Sequence, residues 1–315
     1  MDPLRLIAAA EGVFLRREAL DCGYDDRQIA ALVRARVWHR VRRGCYLPYD
    51  VWDTLDATER HLVLAHAVRR STPGPVVFTH ATALVALGIA VWGVDLSRVH
   101  VTRLDAGAAR RQPDVVHHVG RLPEDEVLHV RGLDVSAPAR AVVETATVAH
   151  LEPALVSADN AQFLGLTDID DLHRTFERLS HWPGSQKIHV LLMYTDGRHE
   201  SVGETRSMVL FHRTSIPLPE PQREVYDDAG RLVAVADFDW DELGTLGEFD
   251  GRGKYFRAYD PDKSPDQVVY EEKQREDLVR GLTGKSFFRW DWTDLGRPRQ
   301  LESRFWDHVR RRRAA

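Results

Sequence analysis

The sequence is poor in cysteine and has no long apolar run. Its two cysteines, Cys22 and Cys45, have neither the close spacing of a metal-binding pair nor the number needed for a disulfide framework. No apolar run approaches membrane-spanning length, and the first residues lack the basic stretch and apolar core of a secretory signal. We therefore expect a cytoplasmic protein without a membrane partner.

Two segments each carry charged residues of one sign only, positive in the first and negative in the second. Residues 27–48 contain six arginines and no acid, whereas residues 237–250 contain six acids and no base. The net charge of the chain is −5, which argues against binding nucleic acid along its whole length. A local basic patch on an acidic chain is nevertheless compatible with docking of DNA at one place.

The length of 315 residues allows two or three domains and a substantial core. A hydrophobic content of 43% and a charged content of 29% are ordinary for a globular protein. Alternating helical and strand patterns predict an α+β multidomain protein with domains in residues 1–50, 51–185 and 195–315.

The first domain combines short helical patterns with a basic hairpin. Helices are predicted over residues 3–10 and 14–22, and Asp25 with Gln28 forms a capping-box-like pair that starts a third helix. The following stretch, VWHRVRRGCYLP, alternates like a hairpin. This order describes a winged helix-turn-helix, in which the third helix enters the major groove and wing arginines bind phosphates. The predicted DNA-binding residues are Arg27, Gln28, Arg34, Arg36, Arg40, Arg42 and Arg43. A helical cap with a solvated basic loop is the alternative.

Residues 12–48 also resemble the N-terminal winged helix of the AbiEi-type antitoxins of type IV toxin–antitoxin systems. The resemblance rests on a glycine-led helix, a Gly-x-x-x-x-x-Ile recognition helix, and a tryptophan followed by an Arg-Arg-Gly-x-Tyr wing. The middle of the chain is similar to the same family at residues 79–84 (THATAL) and 135–144 (VSAPARAVVE). This implies a mixed α/β connecting domain that contacts a partner, such as a toxin or another defence-system protein.

Helices in this middle region are predicted to begin at Ser136 and Thr167 as N-caps. The histidines His80, His117 and His118 are candidate metal ligands or general bases. Structural roles are favoured for them, because neither cysteines nor a carboxylate cluster accompany them in the sequence.

The acidic segment reads ADFDWDELGTLGEFDGRGKY over residues 236–255 and predicts two strands joined at a polar break. Asp237 and Asp239 then share one face, and Glu248 lies across from Asp237 with Cβ atoms about 5 Å apart. So many carboxylates need a positive partner, and Mg²⁺ is a natural one because it prefers carboxylate, water and phosphate oxygens. An acidic hairpin that simply faces water is the alternative.

The predicted order of the last domain is a helix carrying Glu204, three antiparallel strands, a helix and a strand. Its motifs are similar to the very-short-patch-repair-like endonuclease branch of the PD-(D/E)XK nuclease superfamily. The matching segments are residues 204–205 (ET), 219–222 (PEPQ), 237–240 (DFDW), 247–255 (GEFDGRGKY), 272–277 (EKQRED) and 289–292 (RWDW). The resemblance implies a nuclease-like αβββαβ domain.

The resemblance also implies Mg²⁺ or Mn²⁺ bound by Asp237 and Glu248, with Glu204 supporting the site. The superfamily lysine two positions after Glu248 is replaced by Asp250, so Lys254 is a candidate replacement. The implied catalytic set is Glu204, Asp237, Glu248, Asp250 and Lys254. Lys273 is a further candidate, although a surface ion pair on its helix is favoured for it, and Gln222 is expected to face the same site.

Two functions follow as expectations. One is a metal-dependent endonuclease that cleaves DNA in defence or repair. The other is a non-enzymatic, antitoxin-like regulator in which the nuclease fold is only a scaffold. A third reading, an antitoxin that neutralises a nucleotidyltransferase, requires a toxin partner.

Overall fold

The computed structural model describes residues 2–103, 113–251 and 265–314. The chain divides into two compact units, Met1–Thr195 (unit 1) and Asp196–Ala315 (unit 2). Each unit contains helices and sheet, which confirms the predicted α+β multidomain class. Within the described ranges, no helix combines the length and apolar composition that crossing a membrane requires.

The first part of unit 1 contains four helices and a three-stranded antiparallel sheet of order β1-β3-β2. These elements are α1 (Pro3–Glu11), β1 (Phe14–Leu15), α2 (Arg16–Asp21), α3 (Asp26–Arg34), β2 (Trp38–Arg42), β3 (Cys45–Pro48) and α4 (Tyr49–Thr54). The predicted capping box is confirmed, because Asp25 Oδ1 accepts from the backbone N–H of Gln28 and Gln28 Oε1 accepts from that of Asp25. This reciprocal pair fixes where α3 begins.

The prediction of a helix over residues 14–22 was wrong at its start. Phe14 and Leu15 form a short strand paired with Tyr46 and Cys45 of β3. Phe14 is fully buried and packs edge-on against Trp38 at 4.8 Å between ring centroids. Aromatic packing on the hairpin therefore overrides the local helical pattern.

The rest of unit 1 surrounds a five-stranded mixed sheet of order β6-β5-β4-β8-β7. Its elements are α5 (Ala57–Ser71), β4 (Val76–Phe78), α6 (His80–Leu87), β5 (Val99–Arg103), β6 (Val115–His118), β7 (Val127–Val130), β8 (Leu133–Ser136), α7 (Pro138–Val148), α8 (Leu151–Phe163), α9 (Ile169–Leu179) and α10 (Gln186–Tyr194). Strands β5 and β6 run parallel to each other.

Two predicted helix caps in unit 1 were wrong by one residue. The N-cap of α7 is Ala137, and the hydroxyl of Ser136 instead donates to buried Glu144 at 3.1 Å. The N-cap of α9 is Asp168, whose carboxylate accepts from the backbone N–H of Asp171 at 2.7 Å. An aspartate directly after Thr167 competes for the same role and is the slightly stronger cap.

Unit 2 is built on a four-stranded sheet of order β12-β11-β10-β9, in which β12 runs parallel to β11 and the other pairs are antiparallel. Its elements are α11 (Val202–Phe211), β9 (Glu220–Tyr226), β10 (Leu232–Trp240), β11 (Thr245–Asp250), α12 (Pro265–Thr283), β12 (Ser286–Asp291), α13 (Trp292–Leu295) and α14 (Pro298–Ala314). Among the described residues this is the element order expected from the sequence.

The two faces of the unit 2 sheet differ in chemistry. Phe238 and Trp240 point into an aromatic core that includes Trp290 and Phe305. The other face carries Asp237 and Asp239, since side chains alternate along β10. The sequence pattern predicted this separation.

Helix α11 lies unusually close to the sheet at Gly203. A Cβ atom added there would lie 2.0 Å from a ring carbon of Phe249, which is itself 2% exposed. The absence of a side chain therefore lets α11 approach β11 and places the neighbouring Glu204 against the sheet.

We expect Gly203→Ala to lower the free energy of unfolding, since overpacking a tight core typically costs about 1–3 kcal/mol. Gly281→Ala is the matched control, because Gly281 lies in α12 with nothing within 4 Å of an added Cβ. It should stabilise the protein by up to about 1 kcal/mol through helix propensity. Urea unfolding of both variants measures the difference. Equal stability of Gly203→Ala and wild type would contradict the close packing of α11.

Candidate functional site

Asp237 lies in the middle of the sheet of unit 2, beside Glu248. Phe238 pairs with Gly247, and continuing this antiparallel register by one residue places Asp237 opposite Glu248. The turn that sets this register is a 3₁₀ segment over Asp241–Leu243 followed by a glycine, so it is longer than the predicted break. Asp237 is buried, with a relative exposure of 7% for the whole residue.

Gln222 lies on the other side of Asp237. Ala236 pairs with Arg223, and Phe238 with the residue before Gln222, so Gln222 sits beside Asp237 on β9. Its backbone has φ of 55°, a region that non-glycine residues seldom occupy. Its side-chain amide donates to the Glu204 carboxylate at 2.7 Å.

Glu204 is 2% exposed, in the first turn of α11. Its carboxylate also accepts from the Ser201 hydroxyl at 2.6 Å and from the Glu200 backbone N–H at 3.0 Å. Hydrogen-bond donors therefore surround this carboxylate, as burial of a charged group requires. The contact with Gln222 connects the helix to the row of polar side chains on the sheet.

The Asp237 carboxylate ties the two strands together as well. Its Oδ2 accepts from the backbone N–H of Phe249 at 2.7 Å. This bond links β10 to the last residues of β11. Three adjacent strands thus present Gln222, Asp237 and Glu248 side by side.

Glu248 lines a pocket between the sheet and α12 and is surrounded by arginines. Its Oε2 accepts from Arg289 Nε at 2.7 Å, and Arg275 lies 3.6 Å from Oε1. Arg289 also contacts Glu276 at 2.9 Å. Partial burial acts to lower the pKa of Arg289, but the charges of Glu248 and Glu276 outweigh it and raise that pKa.

Lys285 neutralises Asp239 of β10 and Asp241 of the turn that follows it. Its ammonium group lies 2.6 and 2.7 Å from the two oxygens of Asp239 and 2.7 Å from Asp241. The hydrogen bond and charge of Lys285 lower the pKa of Asp241. The positive partners that the acidic segment needs include this lysine and Arg289, both provided by the segment that forms β12. Sequence reasoning assigned that role to a metal ion.

The three candidate metal ligands are not gathered tightly. The oxygens of Glu204, Asp237 and Glu248 do not form a group in which all lie within 4.8 Å of one another. Asp250, at the end of β11, pairs with Asp291 of β12. Lys254 lies outside the described residues, and Lys273 is exposed on α12.

Among the described residues, the group that meets this distance criterion consists of histidines in unit 1: His80, His100 and His118. His100 Nδ1 lies 2.9 Å from His118 Nε2, and the His80 ring stacks on His118 at 3.6 Å between centroids. His80 and His118 were considered from the sequence, but His100 was not. No local spacing signals His100, because parallel pairing of β5 and β6 brings it near His118.

The two middle segments with family-like motifs also meet. The backbone N–H of His80 lies 3.4 Å from Glu144 Oε2, and Arg140 Nε donates to Glu144 at 2.7 Å. Arg140 forms a further ion pair with Glu126 and donates to the backbone carbonyl of Arg121 at 2.9 Å. This network is buried and links α6, α7 and the segment before β7.

The predicted DNA-binding residues differ in their surroundings. Arg42 is held in an ion pair with Asp114 at 3.0 Å, and its side chain is 14% exposed. Gln28 is engaged in the capping box of α3. The remaining predicted arginines are exposed on α3, in the turn that follows it and on the β2–β3 hairpin: Arg27, Arg34, Arg36, Arg40 and Arg43.

No family model matches the chain. Two curated proteins of Mycobacterium tuberculosis, uncharacterized protein MT2308 of strain CDC 1551 / Oshkosh and uncharacterized protein Rv2248 of strain ATCC 25618 / H37Rv, are each 27% identical over 172 residues. The match covers 54% of this chain and 63% of each relative, so the chain spans less than two thirds of their length. A crystal structure of the RV2827C protein from Mycobacterium tuberculosis aligns with a TM-score of 0.39 and 17% identity, covering 71% of this chain and 87% of that one.

Lys285→Met should lower the free energy of unfolding by about 3–5 kcal/mol, because it leaves a buried carboxylate without its main positive partner. The Asp239 side chain is 3% exposed, and Arg223 is the more distant cation at 3.5 Å. Adding Asp239→Asn to Lys285→Met should restore most of the loss, since both charges are then gone. Denaturant unfolding of the single and double variants measures the coupling.

Arg231→Met is the control for this experiment. Arg231 forms an ion pair with Asp227 at 2.8 Å, but its side chain is 80% exposed. Its removal should cost less than about 1 kcal/mol. A Lys285→Met variant as mild as this control would show that Asp239 does not depend on Lys285.

Proposed function

We propose that the chain is a DNA-binding protein whose unit 2 is a metal-dependent endonuclease that hydrolyses DNA phosphodiesters, in defence or repair. The observation that carries this proposal is the row of Gln222, Asp237 and Glu248 on three adjacent strands, with Glu204 hydrogen-bonded to Gln222. The element order of unit 2 is that of a PD-(D/E)XK nuclease core, which supports the same reading.

In this proposal Asp237 and Glu248 hold Mg²⁺ or Mn²⁺, and Glu204 supports the site through Gln222. A bound divalent ion lowers the pKa of its water and neutralises charge on the scissile phosphate. Carboxylate oxygens are suitable ligands for either ion. The residues present are therefore chemically suited to the metal, although Glu248 must exchange its arginine contacts for it.

Arginines provide positive charge where the superfamily has a lysine. Asp250 occupies the lysine position, but Arg289 and Arg275 lie 2.7 and 3.6 Å from Glu248. Their side chains are 40% and 42% exposed, so they are able to turn toward solvent and bind a phosphate. We assign them the charge compensation that the missing lysine gives elsewhere.

The N-terminal elements are the proposed DNA-docking module. Three helices followed by a basic hairpin, with strand order β1-β3-β2, support the proposal of a winged helix. Helix α3 would enter the major groove, and hairpin arginines would bind phosphates. Arg42 is left out of this set, because its guanidinium group is paired with Asp114.

A non-enzymatic, antitoxin-like regulator is the second candidate, and one observation favours it. Two of the acids on the sheet are already neutralised by cations of the protein. Arg289 contacts Glu248, and Lys285 contacts Asp239. Such compensation stabilises the sheet without any metal ion. In this reading unit 2 is a scaffold or a surface for a toxin or another defence-system protein.

The nuclease is tested by incubating plasmid and single-stranded DNA with the protein in Mg²⁺ or Mn²⁺. Asp237→Ala and Glu248→Ala should each lower the cleavage rate by roughly 100-fold or more, since even outer-shell changes at metal sites cost about 10–100-fold. EDTA should abolish cleavage. The control is Asp228→Ala, an exposed acid in the β9–β10 turn, which should cleave at the wild-type rate.

Cleavage that survives both substitutions would exclude the assigned site. Absence of cleavage on every substrate, together with tight and salt-sensitive binding to the promoter of its own gene, would support the regulator.

Replacement of Arg40 or Arg43 by alanine should weaken binding to duplex DNA of any sequence. Each should reduce the slope of log affinity against log salt by about 0.9, as expected for one lost phosphate contact. Arg42→Ala should leave the slope unchanged because of its pairing with Asp114. Arg174→Ala, at a side chain 58% exposed on α9, is the surface control. Fluorescence anisotropy over a range of salt concentrations measures the slopes. Unchanged slopes for Arg40→Ala and Arg43→Ala would show that these two arginines do not contact DNA phosphates.

A further inference from the structure

We infer that unit 1 contains a binding site for a divalent transition-metal ion, with Zn²⁺ as the first candidate, formed by His80, His100 and His118. The site is independent of the proposed nuclease centre in unit 2. Its three ligands are imidazoles, which suit Zn²⁺, Co²⁺ and Ni²⁺ far better than Mg²⁺.

The distances between the ring nitrogens are close to those of a zinc site. One nitrogen from each ring lies within 4.8 Å of the other two. Zinc–nitrogen bonds of about 2.0–2.1 Å in a tetrahedron place neighbouring ligand nitrogens roughly 3.3 Å apart. The His100–His118 pair, at 2.9 Å, is already near that value. His80 and His118 are stacked at 3.6 Å between ring centroids, so the rings must rotate for all three nitrogens to face one ion.

The chemistry of the close His100–His118 pair favours an ion. A neutral imidazole has one N–H and one nitrogen lone pair, so two ring nitrogens 2.9 Å apart require a proton between them. A metal ion takes the place of that proton, and the ring that carried it holds its hydrogen on its other nitrogen, so that both nitrogens of the pair offer lone pairs to the ion.

Burial lowers the pKa of all three rings. Burial and the neighbouring imidazoles lower the pKa of His100 to about 3, and burial and His117 lower that of His118 to about 4. The pKa of His80 is lowered well below its usual value, mainly by burial.

The ligands come from regular elements with fixed relative positions. His100 lies on β5 and His118 on the parallel strand β6, where both side chains point to the same face of the sheet. His80 is the first residue of α6, with φ of 54°. That backbone conformation is costly for a residue with a side chain and is maintained here by the surrounding structure.

Thr79 gives the His80 ring a hydrogen-bonding partner, because its Oγ1 lies 3.0 Å from His80 Nδ1. Glu144 Oε2 lies 3.9 Å from the same nitrogen, which is beyond hydrogen-bond distance. The contact with Thr79 orients the ring and leaves Nε2 to bind the ion. Glu144 is itself held by Arg140 and Ser136 at 2.7 and 3.1 Å.

The ligand set leaves a fourth position open. His80 is buried, whereas His100 and His118 are half-buried, so the site is reachable from solvent. Three histidines with an open position accept a water molecule or a donor from a bound partner.

The test uses the untagged full chain, stripped of metal by a chelator and titrated with Zn²⁺ in excess Mg²⁺ against a chromophoric chelator. One Zn²⁺ should bind per chain, and Co²⁺ should give the visible absorption of a tetrahedral nitrogen site. His100→Ala and His118→Ala should each weaken binding by roughly 100-fold or more, beyond the 10–100-fold of an outer-shell change. Glu144→Gln should fall within that smaller range.

Two sets of controls separate this site from others. His129→Ala, at a side chain 66% exposed, should bind Zn²⁺ as the wild type does. Asp237→Ala with Glu248→Ala should also retain binding, whatever its effect on DNA cleavage. Absence of Zn²⁺ or Co²⁺ binding by the wild-type protein would overturn the inference without reference to any variant. Unchanged binding in folded His100→Ala and His118→Ala proteins would overturn it as well.

Discussion

A buried carboxylate is stable only beside a positive or hydrogen-bond-donating partner, and this requirement organises both units. In unit 2, Lys285 and Arg289 lie at the two ends of one segment and reach Asp239 and Glu248 on neighbouring strands. In unit 1, Arg140 joins two acids from different segments. Lys285, directly before β12, and Arg289 within β12 therefore provide the cations for acids on β10 and β11.

The same contacts with positive and hydrogen-bond-donating groups oppose metal binding by Asp237 and Glu248. An ion that binds Glu248 has to compete with Arg289 for its oxygens, whereas Asp237 is engaged with a backbone N–H. In the proposed metal site, the same arginine contact that stabilises the sheet without metal therefore opposes metal binding. The histidine cluster of unit 1 has the opposite character, because three neutral rings need no cation to balance their charge.

Local signals in the sequence predicted much of the fold. The capping box at Asp25, the alternation of Asp237 and Phe238, and the order of elements in unit 2 all depend on neighbours within a few residues. Contacts between distant segments were not predictable in this way. Lys285 is 46 residues from Asp239, and Arg289 is 41 from Glu248. His100 joins its cluster only through the pairing of two parallel strands, a long-range choice that spacing does not encode.

The ion pair between Arg42 and Asp114 has a mechanical consequence for unit 1. Arg42 ends the first strand of the basic hairpin, and Asp114 directly precedes β6, whose last residue is His118. The ion pair therefore connects the basic hairpin, through one mostly buried guanidinium group, to the strand that carries a ring of the histidine cluster. Packing of the buried Cys45 against Ala67 of α5 is a second connection between this hairpin and the rest of unit 1.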